Sequence, residues 1–203
     1  MTRWDRVRRR QSRIMAAAAL AAGSLLAGPA IAHAAPLTVV TIQFDDGNAD
    51  TIQWIDGSLN THGFQPESFA YPFGDYDATV ETQVVQYCGD NSARTVTGVN
   101  DKTVFAETMP PLDPYATRTP ADPKRGTPLA TIEGYVTYAE QNGGGWVQLT
   151  FHHICDGCDA YSIPAAMMQS LLDWLSTQVS AGAVAVETTK QVIGGPYVTP
   201  FCC

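Results

Sequence analysis

The sequence predicts an α/β protein with a mostly parallel sheet, and two observations predict it. Apolar, β-branched strands alternate with helical segments at the spacing of βα units, and polar or special clusters fall at the carboxyl ends of three of those strands. Residues 37–44 (LTVVTIQF) make a buried strand that runs into a turn at Asp45-Asp46-Gly47-Asn48. Residues 50–60 carry weak helical character, with Ile52, Ile55 and Leu59 on one face and Gly63 as the stop. Residues 68–71 form a short strand before Pro72. Residues 78–87 read as a helix with Val80, Val84 and Cys88 on one face, ended at Gly89, and residues 92–99 as another strand. The proline-rich stretch 109–128 is a long ordered loop or crossover. Thr127 as cap and Pro128 at the first position open a helix to Asn142, which three glycines end. The strand 146–151 (WVQLTF) then delivers His152 and His153. Ser162 and Pro164 start a helix whose apolar face is Met168, Leu171, Leu172, Leu175 and Val179. Gly182 closes it, and residues 183–186 are the last strand.

The chain has 203 residues, one domain's worth, of which 1–34 read as a secretory signal. Six arginines from Arg3 to Arg13 precede an Ala/Leu-rich stretch, and Ala32-His33-Ala34 is an A-x-A cleavage site. The apolar run is short and is interrupted by Gly and Pro, so a permanent membrane helix is not expected. Domain 35–203 is expected to be extracellular, without contact to the membrane after cleavage. The signal removes six of the 12 basic residues and one of the 20 acidic ones, leaving 6 against 19 and a formal charge of −13. That balance disfavours nucleic acid and anionic membranes as partners and suits a neutral or cationic ligand. Five cysteines in an exported chain suggest disulfides. Cys155-Asp156-Gly157-Cys158 is expected to close a small loop. Cys88, Cys202 and Cys203 remain with undetermined pairing, and the odd count leaves one thiol over.

In parallel α/β folds, sites sit at the carboxyl ends of strands. Asp45-Asp46, Tyr71-Pro72-Phe73 and His152-His153 all fall there. Each also has a plain structural reading. Asp-Asp-Gly favours turns in any case, and the aromatic turn can be a simple strand end. His152 and His153 are neighbours in an extended segment, so only one faces a given side, and His152 is the choice.

In order along the chain, TIQFDDG (41–47), FAYPFG (69–74) and LTFHH (149–153) resemble the first, third and last motifs of the polysaccharide deacetylases, over residues 39–195. That family includes chitin and peptidoglycan deacetylases and rhizobial chitooligosaccharide deacetylase. The resemblance implies a truncated or distorted (β/α) barrel over residues 35–203. It implies metal-assisted hydrolysis of N-acetyl groups on chitin-like or peptidoglycan N-acetylglucosamine polymers, by a monomer. In that scheme Asp45 is the general base and Asp46 a ligand of a divalent metal, usually zinc. The backbone near Phe73 helps hold the oxyanion, Tyr71, Pro72 and Phe73 contact the substrate, and His152 is the general acid. Amide hydrolysis needs these types: a metal to polarise the carbonyl, a base for the water, fixed dipoles for the developing charge and a proton donor for the nitrogen.

The chain departs from the family in two places. The stretch from Gly47, the end of its first motif, to Ala70 in its next spans only 24 residues, and no His-x-x-x-His occurs to complete the metal site. His62 is the one histidine in that interval, so the ligand set falls short of the usual three. An internal deletion accounts for this, and so does a minimal variant that borrows ligands or a binding remnant. The arginine that the family's third motif uses to orient the base is replaced by Ala70. The rival class is therefore a catalytically inactive carbohydrate-binding remnant, with Trp54, Tyr71, Phe73, Tyr76 and Trp146 as surface rings that stack on sugars. A two-carboxylate glycosidase is weaker, because it needs a carboxylate beyond the adjacent Asp45 and Asp46.

Overall fold

A computed structural model describes residues 38–45, 67–86 and 88–198 of the chain. The chain divides at Ala34–Ala35, and all described residues belong to the second unit. The secretory signal, the turn beyond Asp45, the weak helix at 50–60, Asp46, Trp54, His62, Cys202 and Cys203 lie outside the described residues. No helix among the described residues is long and apolar enough to cross a membrane.

The strands are β1 (Thr38–Phe44), β2 (Ser68–Ala70), β3 (Ser92–Gly98), β4 (Thr117–Thr119), β5 (Gly145–Phe151), β6 (His153–Ile154), β7 (Ser162–Ile163) and β8 (Val184–Val186). The α-helices are α1 (Leu129–Gln141), α2 (Ala165–Ser180) and α3 (Thr189–Ile193). The α/β class with parallel sheets is as the sequence predicts. One sheet runs β5-β1-β8, a second β2-β3-β4, and β6 pairs with β7; every pair is parallel. Among the described residues the sheets do not close into a barrel.

Strand alternation sorts β1 and β5 into two faces. One face, Val40 and Ile42 with Val147, Leu149 and Phe151, packs on Ile132, Val136 and Ala139 of α1 and on Met168, Leu171 and Leu175 of α2. Burial of each such side chain contributes roughly 1.5–3 kcal/mol, so this layer fixes the register from Thr38↔Gly145 to Phe44↔Phe151. The other face carries Thr41, Gln43 and Asp45 with Trp146, Gln148 and Thr150, and it is polar. Gln148 is fully buried and donates to the Arg118 carbonyl at 3.1 Å, which ties β5 to the middle of β4. Trp146 is also fully buried and donates to Thr41 Oγ1 at 2.9 Å.

Four local expectations need correcting. The segment read as an α-helix at 78–87 has a π-helix at Val80–Gln86, capped by Asp77 Oδ1, which accepts from the N–H groups of Thr79 and Val80. The proline-rich loop contains strand β4, whose Thr117 hydroxyl donates to the Ala93 carbonyl of β3. Pro128 is the cap residue of α1 rather than its first helical position, and the Thr127 hydroxyl accepts from Lys124 N–H instead of capping the helix. On α2, Leu172 and Val179 are exposed, so the buried face is narrower than the apolar stripe.

Helix α3 spans the two sheets. Thr188 and Gln191 form its capping box, Thr189 Oγ1 accepts from Gln43 Nε2 of β1, and Lys190 pairs with Glu67 just before β2. A helix this short depends on its cap. Thr188→Ala is expected to cost about 1 kcal/mol of stability, measured by urea unfolding at constant m-value.

Candidate active site at the strand ends

Asp45 and His152 are neighbours. Their strands are paired up to Phe44↔Phe151, and the Asp45 N–H donates to the Phe151 carbonyl at 2.8 Å. The two residues thus follow adjacent parallel strands, spaced about 4.8 Å apart. Alternation continued past residue 151 puts His152 on the face of Gln148 and Thr150, the same face as Asp45.

Each is held by a partner that the sequence reading did not find. Asp45 Oδ1 accepts from Arg94 Nη2 at 2.5 Å; Arg94 is 5 % exposed and Asp45 24 %. The other terminal nitrogen of Arg94 donates to the Thr95 carbonyl. Arg94 is the register partner of Ala70. The position where the resembled family carries its arginine is an alanine, and a guanidinium arrives from the next strand instead. His152 Nε2 lies 3.3 Å from Asp122 Oδ2, and its ring centroid is 4.9 Å from that of Tyr161. Asp122 Oδ1 is buried without a partner. A charged residue inside the strand SARTVTG was the available signal for Arg94. Asp122, in a proline-rich loop, gave none.

Asp45, at the end of β1, borders a polar cleft of about 290 Å³ between the sheets, and His152 is not among its lining residues. Asp45, Arg94, Gln43, Gln148, Ser92 and Thr117 are among its lining residues. Gln43 Nε2 donates to Gln148 Oε1 and Thr189 Oγ1, while its own Oε1 is buried without a partner.

The aromatic turn divides. Tyr71 is 2 % exposed, stacks on Tyr76 at 4.7 Å and meets Phe69 edge-on at 5.6 Å, so it presents no ring face to a substrate. Burial, reinforced by the nearby Glu81 carboxylate, pushes its hydroxyl pKa up. Trp146 is likewise interior, which corrects its reading as a surface ring. Phe73, in contrast, is 96 % exposed and sits at φ 58, ψ 11, a left-handed conformation that non-glycine residues seldom adopt. Pro72 and Phe73 form a 3₁₀ turn whose Gly74 is also at positive φ, and a Cβ there would lie 2.4 Å from Val96 Cγ2. The chain thus holds an apolar ring in solvent at the cost of local strain.

The described residues around Asp45 do not by themselves suit a divalent cation. The nearest charged partner of Asp45 is a guanidinium, and Asp46 and His62 lie outside the described residues. One group of metal-capable side chains occurs among the described residues, His153, Cys158 and Asp159, and it is separate from Asp45. Cys155 and Cys158 are joined in a disulfide, as expected, and Cys88 is also disulfide-bonded. Comparison with protein-family models, with curated proteins and with solved structures returns no match for this chain.

Proposed function

We propose that this chain is a secreted, monomeric hydrolase of the polysaccharide deacetylase type, releasing acetate from N-acetylglucosamine polymers at the Asp45–His152 site. The observation that carries the reading is the pair of supported groups on adjacent strand ends: a carboxylate held by Arg94 beside an imidazole held by Asp122. That is an arrangement for acid–base hydrolysis. Asp45 takes a proton from water, whose oxygen attacks the acetyl carbonyl. His152 returns a proton to the nitrogen as the carbon–nitrogen bond breaks, leaving acetate and a free amine. The two parallel sheets are then the remains of an opened (β/α) barrel. A divalent metal, zinc by the chemistry of the resemblance, enters the proposal only through Asp46.

The binding-remnant reading draws on Phe73, an exposed ring in strained backbone suited to stacking on a sugar face. Acetate release from chitooligosaccharides by the mature chain, with and without added zinc, separates the two. Turnover above the level of an Asp45→Asn variant is the expected result. Release no greater than that variant, together with retained chitin binding, establishes the remnant instead.

A further inference from the structure

The loop after His152 holds a second constellation that the hydrolytic site does not use. His153 begins β6, residues 155–158 (CDGC) close the disulfide, and Asp159 follows directly. The loop returns to β7, so that Ser162 pairs with His153. His153 Nδ1 is hydrogen-bonded to Asp159 Oδ2, and the ligand atoms of His153, Cys158 and Asp159 all lie within 4.8 Å of one another. Gly157, at φ 74, makes the turn between the two sulfurs. His153 and Cys158 are exposed.

An imidazole, a carboxylate and a thiolate from a C-x-x-C pair are ligand types that zinc takes in tetrahedral sites. With the disulfide closed, the sulfurs are not thiolates, and only His153 and Asp159 can coordinate. Opened, the pair adds Cys158 to His153 and Asp159, and Cys155 is left beside it as its former bonding partner. Exposed disulfides are the more readily exchanged ones. We propose that residues 153–159 form a redox-gated site for a borderline divalent cation such as zinc or cobalt(II), closed in the oxidised chain and opened by thiol exchange. The step is balanced: a dithiol gives two electrons and two protons to the Cys155–Cys158 bond and becomes a cyclic disulfide. The two cysteine thiols then release their protons as the cation binds. The proposal is independent of the deacetylase reading.

Titration of the mature chain with cobalt(II) alone, before and after dithiol reduction and removal of the dithiol, tests it. The reduced chain is expected to bind one cobalt per molecule with a thiolate-to-metal charge-transfer band, and the oxidised chain to show no such band. His153→Ala and Asp159→Asn are each expected to weaken binding more than about tenfold, since even outer partners of a metal act on that scale. A Cys88→Ser variant is expected to bind as the reduced wild type does. Cys155→Ser leaves Cys158, His153 and Asp159 together without reduction, and it is expected to bind cobalt even if reduction unfolds the chain. No band in either the reduced chain or Cys155→Ser overturns the site. So does a cobalt affinity, read from the band, that is unchanged in the His153→Ala or Cys158→Ser chain.

Discussion

Arg94→Met is expected to lower acetate release about 100-fold, the scale on which an ångström of misplacement in a catalytic group acts. The guanidinium is almost wholly buried and is the charged partner of the Asp45 carboxylate, at 2.5 Å. Without it, Asp45 keeps its backbone position, fixed by the N–H bond to Phe151, but its carboxylate is free to rotate. On the proposed assignment of Asp45 as the base, the loss should fall on kcat rather than KM, because Arg94 contacts Asp45. Arg94→Lys retains the charge without the planar fork and is expected to recover only part of the rate. The more telling variant exploits the strand register. Ala70 and Arg94 are cross-strand partners, so Ala70→Arg combined with Arg94→Ala moves the guanidinium one strand over while keeping it at the same level of the sheet. That double variant is expected to recover to within about tenfold of wild type if a cation at this level is what orients the base. Equal failure of Arg94→Met and the double variant, with both folded by circular dichroism, argues that Arg94 serves only the packing of β3.

The same register explains how much of this site could be read from the sequence. β1 and β5 are legible because they are buried on both faces, and the turn residues beyond them mark their ends. Asp45 and His152 follow from that. Arg94 does not, because its bond to Asp45 joins residues 49 apart across the gap between the two sheets, from β3 in one to the end of β1 in the other, which no local pattern encodes. A motif comparison looks for the arginine at position 70 and finds alanine, although the neighbouring strand supplies the cation. β4 is hidden for another reason: three residues, Thr117–Thr119, give no period, and the prolines around them read as loop. The exposed Leu172 and Val179 show the converse, since an apolar stripe gives the direction of a helix face but not its buried width. The polar inner face of Thr41, Gln43, Gln148 and Thr150 was present in the sequence as alternation within β1 and β5. The pattern by itself shows only a buried strand, because polar groups at such positions become intelligible once their partners, Thr189 and the Arg118 carbonyl, are in place.

Glu107→Ala is expected to destabilise the fold by about 3 kcal/mol, the lower end of what breaking a buried ion pair costs. Glu107 is 3 % exposed. Its two oxygens accept from Arg118 N, Nε and Nη2 at 2.7–2.9 Å and from the Thr108 N–H at 2.7 Å. Its backbone bridges to Trp146, so one residue joins the loop before β4 to the edge of β5. The lower end applies because the Arg118 side chain keeps 32 % of its exposure and can rehydrate. The midpoint should fall by about 6–12 °C for a domain of this size. The pH dependence carries a sign. Burial alone would raise the Glu107 pKa, but the hydrogen bonds from Arg118 and Thr108 outweigh it and hold the group below its ordinary 4.5. A carboxylate with a lowered folded-state pKa stabilises the protein above its unfolded value, and the contribution is lost as pH falls through the folded one. The gap between wild type and Glu107→Gln should therefore be constant near neutrality and close in acid. Glu140 supplies the opposite case. Burial raises its pKa and no ion pair offsets this, so Glu140→Gln should stabilise the chain at neutral pH, with the gain vanishing in acid. Unfolding curves of both variants from neutral to acidic pH check the two signs together. A gap for Glu107→Gln that widens as pH falls would show that Arg118 holds a different acceptor.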